Sequence, residues 1–395
     1  MSADPPRLIA VQLPPGDPQA TAITGVWDAG DAVLPLDPRL PRRSRDAVLA
    51  ALRPDQLLDD GGLHDLPAPA RTEAGVAAVI LTSGSTGAPK AVELTSAALF
   101  ASATACLARI AAGPDDRWLC CLPLHHIAGL QVLLRARLAE PAAVVHPRFD
   151  VAAVAGEAGV TLLSLVPTML GRLLDAGADV GRYRRILLGG APPTPGLLTR
   201  ARQAGARVVV TYGMTETGGG CVYDGRPLDG VQAAVDDDGR IRLRGPVLFH
   251  GYRGDLSATN EVLRDGWLLT ADLGRLTADG GLQVLGRADD VIISGGENVR
   301  AGEVAAALAE HPGIDEAAVV GRPDTEWGQR VVAFVVAAGA APTLDELRTF
   351  VCARLSGAHA PRELVVVDRL PRLASGKVDR LALPHLPSRP GRGPT

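Results

Sequence analysis

A run of glycine, serine and threonine that ends in a lysine has the clearest chemistry in this sequence. It reads Thr82-Ser-Gly-Ser-Thr-Gly-Ala-Pro-Lys90 and directly follows Val76–Thr82, an apolar run that predicts a buried strand. Glycines let the backbone approach a ligand closely, hydroxyl groups donate hydrogen bonds, and the Lys90 ammonium supplies charge, so the run suits a polyphosphate. The spacing is not that of a Walker A loop, in which the lysine follows a glycine and precedes Ser or Thr. The run therefore favours an ATP-using enzyme outside the P-loop class over an ordinary polar turn.

Lysine itself is rare in this chain. Of the 40 Lys and Arg residues, only Lys90 and Lys377 are lysines, and Lys377 follows Ser375 and Gly376 near the C-terminus. Arginine carries a wide planar fork, whereas lysine is a compact point charge on a flexible stem. A lysine suits a site that places one ammonium between phosphate and carboxylate oxygens. The alternative is that both are leftover surface residues.

Three further segments carry side chains suited to a nucleotide or a metal ion. In Tyr212-Gly213-Met214-Thr215-Glu216 the ring can stack on a base and the carboxylate can bind Mg²⁺. Asp272 can accept hydrogen bonds from two ribose hydroxyls, although an aspartate in a turn is more often structural. The adjacent His125 and His126 could suggest zinc, but no cysteine or carboxylate stands nearby at ligand spacing.

Composition limits the class of protein. A chain of 395 residues that is 47% apolar and 3% aromatic predicts two or three domains with cores of Ala, Val and Leu. The net charge of −4 argues against a general nucleic-acid binder, and no basic run suggests a membrane surface. The N-terminus does not resemble a signal peptide, and no run of 18 uncharged apolar residues predicts a membrane span. The five cysteines are odd in number and lack C-x-x-C spacing, which indicates reduced thiols and a cytoplasmic protein.

Up to about residue 222, short apolar runs alternate with Ala-rich helical patterns, which predicts layered α/β subdomains with a largely parallel sheet. The predicted strands are Val76–Thr82, Trp118–Leu122, Ala142–His146, Thr161–Val166, Arg185–Leu188 and Arg207–Thr211. The predicted helices are Ser96–Ala111, Gly129–Ala139, Val151–Ala158 and Thr168–Ala176.

Beyond residue 222 the pattern changes twice. Short strands divided by Asp/Gly turns predict a small barrel-like antiparallel region, with strands at Gly230–Val235, Arg240–Arg244, Leu268–Thr270 and Gly281–Leu285. After a boundary near Gly286–Asp290, a compact α+β domain is expected. It would contain helices Ala301–Glu310 and Thr343–Leu355 and strands Asp315–Val320, Arg330–Ala337 and Glu363–Val367.

These motifs together resemble the adenylate-forming acyl-CoA synthetases, from about residue 76 to residue 380. The run at 82–90 matches the phosphate loop T-S-G-[ST]-T-G-x-P-K in full, residues 212–216 match Y-G-x-T-E, and residues 189–191 match G-G-A. Residues 286–289 match the hinge sequence G-R-x-D, and residues 376–377 match the terminal G-K. The chain departs from the family at three positions: Ala271 stands for Gly in T-G-D, His125 stands for Phe in L-P-x-F-H-x-x-G, and Asn298 stands where several relatives carry Arg or Lys.

The resemblance implies a role for each matched residue. Catalytic roles fall to Thr82, His126, Glu216 and Lys377. Nucleotide binding falls to Thr82, Ser83, Gly84, Ser85, Thr86, Gly87, Lys90, Gly190, Ala191, Tyr212, Gly213, Thr215, Asp272, Arg287 and Lys377. Glu216 would bind magnesium, Asp289 would be the hinge, and Ser294, Gly295 and Gly296 would form the loop facing coenzyme A.

The resemblance also implies two half-reactions, with ATP, Mg²⁺ and coenzyme A as cofactors. A substrate carboxylate attacks the α-phosphorus of ATP and forms an acyl-adenylate, and the CoA thiolate then displaces AMP. Lys377 would act only in adenylation and move away as the small domain rotates about Asp289. We expect an N-terminal domain over residues 1–288 with a trimmed N-terminus, a mobile C-terminal domain over 289–383 and a disordered tail over 384–395. A homodimer is also expected.

Three features indicate which carboxylic acid is the substrate. They are the short N-terminal portion, the stretch Gly218-Gly-Gly-Cys-Val-Tyr-Asp-Gly225 and the Ser-Gly-Gly-Glu-Asn segment. Together they resemble o-succinylbenzoate–CoA ligases of menaquinone biosynthesis. Ser164, Thr168 and the backbone of Gly218–Gly220 are the candidates to bind the second carboxylate. Three alternatives stay open: another small-acid or fatty-acid CoA ligase, a stand-alone adenylation enzyme that loads a carrier protein, and a non-catalytic nucleotide-binding pseudoenzyme.

Overall fold

The computed structural model describes residues 5–82, 90–139, 141–372, 378–380 and 382–386. The chain divides into two compact units. The first comprises Met1–Pro193, Arg200–Ala233 and Arg242–Leu269, and the second comprises Thr194–Thr199, Ala234–Ile241 and Thr270–Thr395. The boundaries expected at residues 288 and 383 stay a prediction. No helix in the described ranges combines the length and hydrophobicity that crossing a membrane requires.

The elements up to residue 203 alternate between strands and helices. They are β1 (Leu8–Val11), α1 (Asp17–Asp28), β2 (Ala32–Pro35), α2 (Arg42–Leu52), β3 (Gln56–Asp59), β4 (Gly62–Asp65), β5 (Val76–Thr82), β6 (Lys90–Thr95), α3 (Ser96–Arg109), β7 (Trp118–Cys120), α4 (Ile127–Ala139), β8 (Val144–Val145), α5 (Val151–Gly156), β9 (Leu162–Leu165), α6 (Pro167–Asp175), β10 (Arg185–Leu188) and α7 (Pro195–Gln203).

Strands predominate in the remainder of the chain. The elements are β11 (Val208–Met214), β12 (Gly219–Tyr223), β13 (Arg226–Pro227), β14 (Gln232–Val235), β15 (Arg240–Arg244), β16 (Gly251–Tyr252), α8 (Leu256–Val262), β17 (Leu263–Arg264), β18 (Trp267–Leu276), β19 (Leu282–Arg287), β20 (Val291–Ser294), β21 (Glu297–Arg300), α9 (Ala301–Leu308), β22 (Ile314–Asp324), β23 (Gly328–Ala337), α10 (Leu344–Cys352) and β24 (Glu363–Val366).

The first unit contains two seven-stranded sheets. One has the order β16-β6-β5-β2-β1-β3-β4, with parallel pairs in the middle and antiparallel pairs at both ends. The other has the order β13-β12-β11-β10-β9-β7-β8 and is parallel from β11 to β8. Strands that are buried on both faces need largely apolar sequence, as in Leu8–Val11 and in Leu162–Leu165, where Ser164 is the one polar residue; all residues of both strands are buried. The α/β class with parallel pairing is thus confirmed.

The predicted barrel-like region is an open sheet instead. Its strands pair in the order β14-β15-β18-β17, and β19 also pairs with β18. The ten-residue β18 has room for both partners, because β17 pairs near its start and β19 pairs at Asp272–Leu276. Among the described strands no further pair closes the sheet. The Asp/Gly turns correctly indicated antiparallel hairpins, but local turn signals carry no information on closure.

The second unit ends in the predicted α+β arrangement. Strands β21, β20, β23 and β22 form a sheet in that order, and β24 adds in parallel to β23. Helices α9 and α10 bury Val304, Leu308, Leu347 and Val351 in one core with residues of β22 and β23. The opposite core includes Phe334 and Leu383, so the described chain is still packed beyond residue 380.

Candidate active site

The ends of the phosphate-loop candidate are fixed by a β-hairpin. Thr82 pairs with Lys90 where β5 and β6 meet, and the Thr82 hydroxyl donates to the Lys90 carbonyl oxygen at 3.3 Å. The two termini of the run are therefore held side by side. Predicted contacts of Ser83, Gly84, Ser85, Thr86 and Gly87 lie outside the described residues.

Lys90, Tyr252 and Glu216 form a connected group, which we call the Tyr252 triad. The Lys90 Nζ lies 4.6 Å from the centroid of the Tyr252 ring, and the Tyr252 hydroxyl donates to Glu216 Oε1 at 2.8 Å. Strand pairing explains the first contact: Tyr252 lies opposite Val92, and Lys90, two residues before Val92, projects from the same face. Burial and the Glu216 carboxylate both raise the pKa of Tyr252, so its hydroxyl remains a donor.

The Tyr212–Glu216 motif spans the end of β11 and the turn that follows it. Tyr212 pairs with Val222 of β12, and the register shifts before Gly213. A Cβ atom on Gly213 would lie 2.1 Å from the Gly219 carbonyl oxygen, so the hairpin admits no side chain there. Thr215 and Glu216 occupy a short 3₁₀ turn, and the Phe249 amide donates to the Glu216 carbonyl at 2.9 Å. The predicted nucleotide and magnesium residues are thus set by backbone pairing.

Thr217 holds that turn together and was not among the predicted residues. It is fully buried, its hydroxyl accepts from the Met214 amide at 2.9 Å, and it lies 2.6 Å from the Gly219 carbonyl oxygen. The signal was present in the sequence, because a threonine at the end of a helical turn can close a capping pair.

His126 precedes α4 at the C-terminal side of β7. Its amide donates to the Pro123 carbonyl at 3.2 Å, and its ring lies 4.5 Å from the His125 ring. Burial lowers the pKa of His125, which favours the neutral imidazole. Gly190 and Ala191 follow β10 at the corresponding end of the same parallel sheet. Carboxyl ends of neighbouring parallel strands are the usual position of ligand sites in such sheets.

Behind this edge lies a buried arginine that the motifs did not indicate. Arg135 of α4 is 4% exposed, and its guanidinium lies 5.4 Å from the Trp118 ring centroid. Nη1 donates a long hydrogen bond of 3.4 Å to Ser164 Oγ, whereas Nε has no hydrogen-bond partner among the described residues. Trp118 Nε1 and Gln131 Oε1 are likewise buried without a partner. We call Trp118, Gln131, Arg135 and Ser164 the Arg135 cluster.

The charge of Arg135 has no carboxylate beside it within the described part of the chain, since no Asp or Glu oxygen there lies within 4.0 Å. Arg135 also contacts the Cys106 thiol, and two further neighbours, Cys120 and Tyr223, do not neutralise its charge. Burial raises the pKa of the Cys120 thiol to about 12 and raises the pKa of Tyr223 well above its usual value. A buried cation without a counter-ion is costly, by several kcal/mol in general. The cluster therefore has the composition of an anion site.

The Arg135 cluster is joined to the Tyr212–Glu216 region through Gln131. The Gln131 Nε2 donates to the Gly218 carbonyl oxygen at 2.7 Å, and a Cβ atom on Gly219 would lie 3.4 Å from the Gln131 side chain. Gln131 stands one helical turn before Arg135, and His126 immediately precedes the helix. Two of the predicted candidates for a second carboxylate, Ser164 and the Gly218–Gly220 backbone, thus lie around α4. Thr168 lies in α6.

In the second unit the structure brings Asp272, Arg287 and Asp289 together. Asp272 of β18 pairs with Arg287 of β19, and Arg287 Nη1 lies 3.7 Å from Asp272 Oδ1. Arg287 also donates to both Asp289 carboxylate oxygens, at 2.7 and 2.8 Å. This bidentate pair lowers the pKa of Asp289 and raises that of Arg287. The Arg287 guanidinium therefore contacts both Asp272, the other predicted ribose residue, and Asp289, the predicted hinge residue.

The predicted CoA loop is the tight turn of a hairpin. Ser294 ends β20 and is buried, and Gly295 and Gly296 connect it to β21 with φ values of 60° and 83°. These left-handed conformations favour glycine. Both glycines border a cleft of about 580 Å³ with the Trp327 side chain on its wall. Lys377 lies outside the described residues.

Glu216 suits a magnesium ion that shares its ligands with phosphates. Tyr252 occupies Oε1, and Oε2 accepts no hydrogen bond from a described residue. No group of three or more His, Cys, Asp or Glu in the described ranges could hold a metal ion. Mg²⁺ is commonly bound by one or two carboxylates together with substrate phosphates and water. The donor set therefore fits a metal that enters with a nucleotide.

The parallel sheets, the Thr82–Lys90 hairpin and the Tyr212–Glu216 turn define a nucleotide-binding enzyme outside the P-loop class. Family comparison agrees: residues 51–253 match the AMP-binding enzyme model, and residues 303–377 match the AMP-binding enzyme C-terminal domain. The chain belongs to the AMP-binding enzyme family.

Two named proteins show how similar its relatives are. The probable 2-succinylbenzoate–CoA ligase of Mycobacterium tuberculosis is 42% identical over 353 residues, which are 86% of this chain and 88% of that protein. The o-succinylbenzoate CoA synthetase (MenE) of Bacillus subtilis, solved with the acyl-adenylate OSB-AMP, is 31% identical with a TM-score of 0.85, over 97% of this chain and 89% of the other. The same enzyme with ATP and magnesium gives 30% and 0.83, over 97% and 90%.

Proposed function

We propose that this protein is an acid–thiol ligase that activates 2-succinylbenzoate with ATP and transfers the acyl group to coenzyme A, a step of menaquinone biosynthesis. This is the activity for which the Mycobacterium tuberculosis and Bacillus subtilis relatives are named. The observation on this chain that carries the choice of acid is the Arg135 cluster, because 2-succinylbenzoate has a second carboxylate that most acids activated in this way lack.

The cluster offers that carboxylate a counter-ion and further donors. Arg135 Nε and Trp118 Nε1 are buried donors without an acceptor among the described residues, and the Ser164 hydroxyl of β9 accepts from Arg135 Nη1. An arginine fork binds a carboxylate through two parallel hydrogen bonds. The aliphatic carboxylate would then lie toward His126 and the start of α4, and the benzoate carboxylate would lie deeper, at Arg135. Binding therefore satisfies groups that the free enzyme leaves unpaired.

For adenylation, we propose that the Thr82–Lys90 run binds the phosphates and that Lys90 supplies charge to them. Tyr212 would stack on adenine beside Gly190, Ala191 and Gly213, and Thr215 would contact a phosphate. A magnesium ion bound at Glu216 would neutralise phosphate charge. Little covalent chemistry falls to the protein, so positioning and electrostatics supply the catalysis.

For the remaining roles, we propose that Asp272 and Arg287 bind the ribose and that Lys377 stabilises charge on the α-phosphoryl group. Asp289 is proposed as the hinge, which its bond to Arg287 would restrain. Ser294, Gly295 and Gly296 would admit the CoA arm, and His126 would gate the acyl site for the thiolate.

A cytoplasmic location is supported by the thiols. All five cysteines are free, and four of them are buried. Reduced cysteines are the normal state in the cytosol. The expected homodimer stays a prediction.

The choice of acid is tested by ATP–pyrophosphate exchange over a panel of carboxylic acids. We expect exchange with 2-succinylbenzoate to exceed that with 3-benzoylpropionate, which differs only in lacking the benzoate carboxylate, by about 10²-fold or more, because the buried guanidinium loses its partner. Long-chain acids should give background exchange. Stronger exchange with a fatty acid than with 2-succinylbenzoate would refute the proposed substrate. No exchange with any acid would refute the proposed ligase activity.

A further inference from the structure

The Tyr252 triad joins two groups that act on the phosphates from different segments of the chain. Lys90 comes from β6, Glu216 from the turn after β11, and Tyr252 from β16. One side chain, Tyr252, contacts both the ammonium through its ring and the carboxylate through its hydroxyl. We propose that Tyr252 is a positioning residue that sets the Glu216 carboxylate for magnesium and the Lys90 ammonium for phosphate. This inference rests on the proposed ATP use of the same site.

Tyr252 is itself rigidly held. Its amide donates to Thr259 Oγ1 at 2.9 Å, and its ring packs edge-on against Phe249 with centroids 5.1 Å apart. Arg253, the next residue, is buried on Glu93 of β6 at 2.9 Å. Strand pairing and the Arg253–Glu93 ion pair therefore anchor the backbone of Tyr252 on the strand that carries Lys90, and Phe249 holds the ring.

The hydrogen bond to Glu216 has a specific consequence for a metal ligand. Because Tyr252 donates to Oε1, the carboxylate is oriented with Oε2 remaining for a cation. Partners that orient a ligating carboxylate affect metal affinity by about 10–100-fold when they are removed. The ring has a separate effect, because an ammonium over an aromatic face is attracted to it even before a nucleotide binds. Hydroxyl and ring can thus be tested separately.

Tyr252→Phe removes the hydroxyl and keeps the ring under Lys90. Binding is measured without any acid, using Mn²⁺ as a paramagnetic substitute for Mg²⁺ with a non-hydrolysable ATP analogue. We expect Mn²⁺ affinity in the ternary complex to fall about tenfold, with metal-free affinity for the analogue unchanged. Tyr252→Leu should also weaken metal-free analogue binding by about fivefold, since Lys90 loses its ring.

Tyr183→Phe is the matched control. Tyr183 is also buried and donates its hydroxyl to the Val154 carbonyl at 2.9 Å, within the packing of α5. The substitution Tyr183→Phe should lower the stability of the protein without changing its Mn²⁺ affinity. Wild-type Mn²⁺ binding by Tyr252→Phe, or an equal loss in Tyr183→Phe, would overturn the proposal. Should Tyr252→Leu fail to fold, the phenylalanine variant decides alone. Because the binding assay contains no acid, its outcome does not depend on which acid is the substrate. Unchanged Mn²⁺ affinity would leave the choice of 2-succinylbenzoate standing, and a different substrate acid would leave the Mn²⁺ result standing.

Discussion

Replacing Arg135 by methionine is expected to abolish the preference for 2-succinylbenzoate over 3-benzoylpropionate. Losing one partner of a buried guanidinium–carboxylate pair costs about 3–5 kcal/mol, which is roughly 10²–10³-fold in kcat/KM for 2-succinylbenzoate. The value for 3-benzoylpropionate should change little, because that acid has no group for Arg135. The measurement is pyrophosphate exchange at subsaturating concentrations of each acid.

Arg135→Met is expected to lower kcat/KM for 2-succinylbenzoate but not to lower stability. Since no carboxylate among the described residues lies beside the buried Arg135, Arg135→Met should leave the free energy of unfolding unchanged or raise it by about 1 kcal/mol. Arg253 is the control, because its side chain is 6% exposed but paired with Glu93. Arg253→Met should destabilise by about 3–5 kcal/mol by leaving Glu93 buried and unpaired. Equal destabilisation by the two substitutions in urea would mean that Arg135 is structural and binds no substrate.

Replacing Lys377 by alanine is expected to separate the two half-reactions. The proposed role of Lys377 is to stabilise the charge that develops on the phosphoryl group, so its loss should lower adenylation by at least about 10²–10³-fold. Thioester formation from a supplied acyl-adenylate should stay near the wild-type rate, because the resemblance assigns Lys377 to the first step only. Exchange measures the first step, and CoA thioester release measures the second.

Lys90 supplies the control, as the other lysine of the chain. Lys90→Ala should weaken ATP use more modestly, by about tenfold, because the proposed phosphate site also includes backbone amides and hydroxyls of the run. Equal loss of both half-reactions in Lys377→Ala would contradict a lysine that serves adenylation alone.

The sequence predicted strand bounds best where a mainly buried run or a regular alternation of buried and exposed residues marks the strand. Val76–Thr82, Arg185–Leu188 and Arg240–Arg244 were predicted with their observed bounds. Strand β6 was not predicted, because no element was expected between the phosphate loop and the helix that begins at Ser96. The alternation in Lys90–Thr95 is short, and its strand character comes from pairing with β5 and β16.

The site residues also differ in how far the sequence predicts them. Contiguous motifs such as Tyr212–Glu216 are visible in sequence because chemistry and turn geometry occur together. Tyr252 is not, because it meets Lys90 only through pairing across about 160 positions, and no local pattern encodes that register. Arg135 carried one weak signal: it is a charge in a helix that is otherwise apolar on almost every side. That no carboxylate of the described chain lies beside it depends on tertiary packing and is visible only in the structure.

The most direct test of the whole account is product analysis with the wild-type protein. MgATP, 2-succinylbenzoate and coenzyme A are incubated together, and nucleotides and thioesters are quantified by mass spectrometry. We expect AMP and the 2-succinylbenzoyl thioester of coenzyme A in equal amounts, with acyl-adenylate accumulating when coenzyme A is omitted. Release of ADP in place of AMP, or no thioester from this acid alongside a thioester from another, would contradict the account.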